Sequence, residues 1–125
     1  MSIPSKSDTQ REIPFLMRLE KEVKGFLTTL LILGIIKKEK RIWGYKIKKN
    51  LKQLTQTDSY ISDSSLYTTL RSLEKKYGLL SSKMEERRRY YFLTDLGSQI
   101  TDQAFTHWLK LVQEGNLAIK KLNLH

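Results

Sequence analysis

Of the residue types that carry covalent or metal chemistry, this chain has almost none. It has no Cys and two His, His107 and His125. The missing thiols exclude a disulfide framework, a Cys-based zinc site, an iron–sulfur cluster and a thiol nucleophile. A serine triad would have to rest on His107, which has no obvious nucleophile partner. The carboxylates that stand in pairs are Asp95 with Asp102 and Glu85 with Glu86. The first pair belongs to a helix start and the second to a turn, not to a pocket pattern. No catalytic residue, metal ligand or cofactor is expected.

What the chain has in quantity is positive charge: 23 Lys and Arg against 13 Asp and Glu, a net +10. Between Lys37 and Arg89 there are 15 basic and 6 acidic residues, which accounts for nine of those ten charges. Such a concentrated surplus suits a polyanion, because counterions are released when it meets phosphates. The plainer alternative is a solvated surface that maintains solubility.

The elements that must present this charge fit in one domain of 125 residues, of which 39% are apolar. The longest apolar run, Gly25 to Ile36, has 12 residues, short of the roughly 20 that span a bilayer. The first residues lack an apolar signal core, so the chain is expected to be soluble and cytoplasmic. Residues 1–12 are polar and carry Pro4, and a flexible tail is expected there. A helix should start near Pro14 and run to about Lys38, with Phe15, Leu16, Leu19, Val23, Phe26, Leu27, Leu30 and Leu31 at helical spacing. Arg41-Ile42-Trp43 is a short extended candidate. Ile47, Leu51 and Leu54 mark a second helix from about Gly44 to Gln53, followed by a polar turn over Thr55 to Tyr60. Asp63 is the expected cap of a third helix, with Leu66, Leu70, Leu73 and Tyr77 on its buried face and Gly78 as its stop.

Two strands should follow, Leu79–Lys83 and the aromatic Arg88–Leu93. Their link, Met84-Glu85-Glu86-Arg87, lacks Asn-Gly and suggests a turn longer than two residues. Thr94-Asp95 then caps a last helix that runs to about Leu122. Two helices joined by a polar turn and followed by a basic hairpin describe a winged helix-turn-helix. The expected fold is therefore mainly α, with a two-stranded wing and a long C-terminal helix. Residues 13–93 would form the winged-helix unit and 94–125 the last helix.

At 100° per residue, Ser64, Thr68, Arg71 and Lys75 lie opposite the buried face of the third helix. Short hydroxyls with Arg and Lys suit a major groove, where Arg71 can grip a guanine edge bidentately. An ordinary amphipathic helix with a solvated face would look the same. At the hairpin, Lys83, Arg87, Arg88 and Arg89 can meet phosphates or the minor groove. Alternation would set Arg87 and Arg89 on one face and Arg88 on the other. Protection of an edge strand by charge is the alternative.

The chain resembles the PadR family of winged-helix transcriptional regulators. The matching residues are Gly25 with the apolar helix to Ile36, Trp43-Gly44-Tyr45-Lys46-Ile47, Ser65-Leu66-Tyr67-Thr68-Thr69-Leu70-Arg71-Ser72-Leu73-Glu74, Gly78-Leu79-Leu80, and Arg89 to Gly97. Thr68 stands where the family has Pro, and one residue is inserted between Glu74 and Gly78. The resemblance implies a homodimer that binds an operator in double-stranded DNA and usually represses a nearby gene. The full expected DNA-contacting set adds Tyr45, Lys46, Lys49, Ser65 and Tyr67 to the residues above. A sequence-tolerant architectural DNA-binding protein is the alternative. RNA binding has no recognisable module here.

In the last helix, Phe105, Trp108, Val112, Gly115, Ile119 and Leu122 step by 3 and 4, a heptad seam. A second chain is the expected cover, which makes Phe105, Trp108, Val112, Ile119 and Leu122 the expected dimer interface. Packing on the chain's own first helix is the alternative. The resemblance also makes Trp108 a candidate contact for a small aromatic effector, with a core role as the alternative.

Overall fold

Apolar residues at steps of three and four, cut by caps and turns, lay out the chain in the computed structural model. The described residues are 6–56 and 61–124, with side chains described from residue 13 onward. The order is α1 (Lys6–Glu39), β1 (Ile42–Trp43), α2 (Gly44–Thr55), α3 (Asp63–Lys75), β2 (Leu80–Glu85), β3 (Arg88–Leu93) and α4 (Asp95–Leu122). This is the expected mainly helical winged helix-turn-helix, with β2 and β3 as the wing. The short β1 adds a third strand. The sheet order is β1-β3-β2, antiparallel throughout, with Ile42 opposite Tyr91 and Trp43 opposite Tyr90.

The core lies where α1, α2, α3 and the sheet meet. Ile32, Leu33, Ile35 and Ile36 of α1 pack with Ile47 and Leu51 of α2, Leu66, Leu70 and Leu73 of α3, Leu80 and Tyr91. Each fully buried Leu or Ile contributes about 1.5–3 kcal/mol through its removal from water.

Four expectations are corrected. First, α1 begins at Lys6, and Pro14 sits inside it rather than at its start. Residues 6–12 are thus helical, while 1–5 lie outside the described residues, as do 57–60 of the expected polar turn. Pro14 has no N–H to give the carbonyl four residues earlier, so the ladder of α1 lacks one bond there. Second, Ser62, not Asp63, caps α3: its side chain accepts from the Ser65 N–H at 3.2 Å. Third, α3 ends at Lys75, so Tyr77 leaves the buried face and is exposed. Fourth, the hairpin turn has two residues, not more. Glu85 pairs with Arg88, and Glu86 and Arg87 carry φ of 48° and 67°, as two-residue hairpin turns of type I′ require.

The entry to α4 is pinned to the end of α3. The Thr94 hydroxyl accepts from the Gly97 N–H at 3.0 Å and donates to the Gly78 carbonyl at 2.8 Å. The Thr94 N–H donates to the Leu79 carbonyl at 3.0 Å. Gly97 lies so close beneath that carbonyl that a Cβ would sit 1.9 Å from the oxygen. Only glycine permits this approach.

Candidate nucleic-acid interface

The outward face of α3 is free of the core. Ser64, Thr68, Arg71 and Lys75 are exposed, while Leu66, Leu70 and Leu73 hold the opposite face. Arg71 and Lys75 make no ion pair or hydrogen bond among the described residues. Ser65 is engaged at the cap, where it receives a 2.9 Å bond from the Ser62 hydroxyl. Tyr67 is half exposed and leans on the start of α2. A Cβ on Gly44 would lie 2.7 Å from its ring.

Beside α3, the exposed face of α2 forms a basic cleft of about 360 Å³ lined by Tyr45, Lys48, Lys49, Lys52 and Asp63. The spacing 45, 48, 49, 52 places these α2 residues on one helical face. Lys46 is also exposed on α2 but does not line the cleft. Asp63 forms an ion pair with Lys48.

On its other side α3 meets the wing, whose two faces differ. The inner face carries Tyr91, Ser82 and Arg89. Arg89 Nη1 donates to Ser82 Oγ at 2.9 Å, and Ser82 Oγ donates to Glu74 Oε2 at 2.7 Å. Arg89 is therefore tied back toward α3. Burial pushes the Tyr91 phenol above its usual pKa.

The outer face carries an aromatic and cationic cluster. The Arg88 guanidinium lies 4.1 Å from the Trp43 ring centroid, and Arg41 lies 4.1 Å from that of Tyr90. Trp43 also tilts against Tyr45 at 5.3 Å. Arg41 is ion-paired with Glu85, and Lys83 Nζ is 3.6 Å from the other carboxylate oxygen. The hydrogen bond from Arg41 is the main reason that Glu85 titrates below the ordinary carboxylate range. Arg87 occupies the turn itself, so the expected alternation holds only for Arg88 and Arg89.

The α2 cleft, the α3 face and the wing are consecutive surfaces, and they bring Tyr45, Lys49, Thr68, Arg71, Arg87 and Arg88 to neighbouring elements. Sequence reasoning missed Lys48, Arg41, Trp43 and Tyr90 as parts of this surface. The signal was present in Arg41-Ile42-Trp43, where Ile42 is buried while Arg41 and Trp43 reach the outer-face rings and cations on either side of it.

The groups weighed for catalysis do not assemble. Asp102 is paired with Lys37, Glu85 with Arg41, and Glu86 lies in the turn. His107 is exposed on α4, in a shallow cleft with Asp102 and Lys110. Among the described residues no group of three His, Asp or Glu is placed to hold a metal, and no helix is long and apolar enough to cross a membrane.

The seam on α4 divides. Phe105 lies on Gly34 of α1, where a Cβ would come within 2.8 Å of its ring, and Trp108 packs 5.0 Å from Phe26. Both contacts are with the chain's own first helix. Val112, Ile119 and Leu122 are exposed.

Residues 32–103, more than half of the chain, match the model of the transcriptional regulator PadR-like family. A transcriptional regulator from Clostridium thermocellum is 30% identical with a TM-score of 0.64, covering 77% of this chain and 92% of that one. A PadR family transcription regulator from Clostridium difficile is 26% identical with a TM-score of 0.61, over 74% of this chain and 97% of that one. A PadR family transcriptional regulator from Eggerthella lenta shares the fold at a TM-score of 0.74 and 22% identity, over 88% and 96% of the two chains. An uncharacterized protein from Lysinibacillus sphaericus is 26% identical over 95 residues, 71% of this chain and 84% of that one. With its helix-turn-helix and wing in place, the chain belongs to the PadR-like family of DNA-binding transcriptional regulators.

Proposed function

We propose that two copies of this chain bind one specific site in duplex DNA and repress transcription by occupying it. The carrying observation is the outward face of α3. Its Thr68, Arg71 and Lys75 stand clear of the core, between the lysine cleft of α2 and the cationic wing. In this reading α3 enters the major groove. Arg71 and Thr68 read base edges, and Lys49, Lys75 and Arg87 meet phosphates.

Pairing is supported by the apolar surface left on one chain. Phe15, Leu16 and Val23 on α1 and Val112, Ile119 and Leu122 on α4 are exposed, and large apolar side chains left open on two helices that pack together suit an interaction site. A second copy that covers it would present two α3 helices.

Selection of duplexes from a randomised pool tests the reading. The expected result is a two-fold symmetric consensus whose half-sites lie one helical turn, or a multiple of it, apart. A reporter carrying that consensus over its promoter should fall when the protein is expressed. A pool that stays random after selection, with retained DNA of every sequence, would turn the reading toward an architectural role.

A further inference from the structure

Two carboxylates stand on the cationic surface itself. Asp63, the first residue of α3, is paired with Lys48 in the α2 cleft. Glu85, the last residue of β2, is paired with Arg41, which also covers the ring of Tyr90 on the outer face of the wing. Both pairs bridge different elements, Asp63 of α3 to Lys48 of α2 and Glu85 of β2 to Arg41 before β1. A carboxylate and a phosphodiester offer a cation the same thing, an anionic oxygen at hydrogen-bond distance. All four side chains are at least one-third exposed. Pairs that open to water are weak enough for a polyphosphate to displace.

Resting on the DNA-binding reading above, we propose that Asp63 and Glu85 are built-in phosphate mimics that occupy Lys48 and Arg41 and hold down the affinity for DNA of any sequence. A phosphate that reaches Lys48 or Arg41 must first displace a tethered competitor. The tethered carboxylate is always at hand, whereas the phosphate arrives only with bound DNA. The two cations thus add little to indiscriminate binding, although they raise the positive potential around the face. The consequence suits a regulator. Each genome offers a vast excess of non-specific sites, and weak binding to those sites keeps the protein free to find its own.

The probe is a short random-sequence duplex, titrated by fluorescence anisotropy across a KCl series. Asp63→Asn and Glu85→Gln are neutral and nearly isosteric. Each should tighten binding several-fold. Each should also steepen log K against log[salt] by about 0.9 for every cation released to a phosphate. Glu114→Gln changes the net charge equally, but its site is about 28 Å along α4 from the helix start; it should leave the slope unchanged. Lys48→Ala should cost little in the native background and several-fold in the Asp63→Asn background. Three results would each overturn the proposal. The first is Asp63→Asn and Glu85→Gln behaving like Glu114→Gln. The second is an equal cost of Lys48→Ala in both backgrounds. The third is weaker binding in folded variants, which would make the carboxylates mere supports of helix and wing. A native protein with no salt dependence is a different failure, because it removes the DNA-binding reading itself.

Discussion

Arg71 stands on the outward face of α3 with no partner among the described residues, and that isolation gives it a distinct expected behaviour. Bidentate contact with guanine discriminates bases by about 1–3 kcal/mol. Arg71→Ala should lose that amount on the selected site and much less on random DNA, as read by competition at one salt concentration. Equal losses would make it a phosphate contact. Glu85 offers a test by titration. Its carboxyl is held below the ordinary range chiefly by the hydrogen bond from Arg41. A depressed native pKa contributes stability above the unfolded value, and that contribution is lost as pH falls through the native value. Arg41→Ala should therefore move the Glu85 midpoint upward in a carbon-detected NMR titration, and an unmoved midpoint would deny the pair. At this scale the sequence made the outward face of α3 legible, because 100° per residue decides it once Leu66, Leu70 and Leu73 are buried. Arg89 was not legible in the same way. Its direction depends on where the hairpin turn falls, and that turn places it against Ser82 rather than beside Arg87.

The elements carry their own strains and fits. Glu86 and Arg87 turn the hairpin with positive φ at both positions, although neither residue favours the left-handed region. Left-handed backbone costs an L-residue roughly 1–2 kcal/mol, and Asn tolerates it better. Glu86→Asn should raise the thermal midpoint, by an amount that corresponds to about 1 kcal/mol or less. A lowered midpoint would mean that the Glu86 side chain matters more than its backbone. Gly97→Ala should act in the opposite direction. Its Cβ would meet the Leu79 carbonyl at 1.9 Å, and relief of such overpacking typically costs about 1–3 kcal/mol. A melt that matches the native protein would show that α4 can shift without penalty. Local signals exposed most elements: helical spacing for α2, α3 and α4, aromatic richness for β3, and Thr94 as a cap. They missed what depends on distant partners. The pairing of β1 with β3 joins residues almost fifty positions apart, and no local pattern specifies it. The start of α1 was hidden for another reason, since Pro14 reads as a helix beginning and the residues before it have no apolar period.

As a whole, the molecule divides its apolar surface between one chain and the proposed second. The seam along α4 was legible as a repeat, but its destination was not. Phe105 and Trp108 turn to α1 of the same chain, and Val112 and Ile119 remain open. Val112→Asp with Ile119→Asp should therefore leave each chain folded, since neither residue belongs to the core. Burial of unpaired carboxylates would at the same time abolish pairing. Sedimentation velocity should show a folded monomer, whereas an unchanged dimer would place the interface elsewhere. The central claim, a winged helix that reads sequence, is tested most directly by one ratio. Affinity for the selected duplex is divided by affinity for a scrambled duplex of the same length, both measured at a single near-physiological salt concentration. Specific regulators reach ratios on the order of 10³ or more, and that is the expected result. A ratio near one would contradict it.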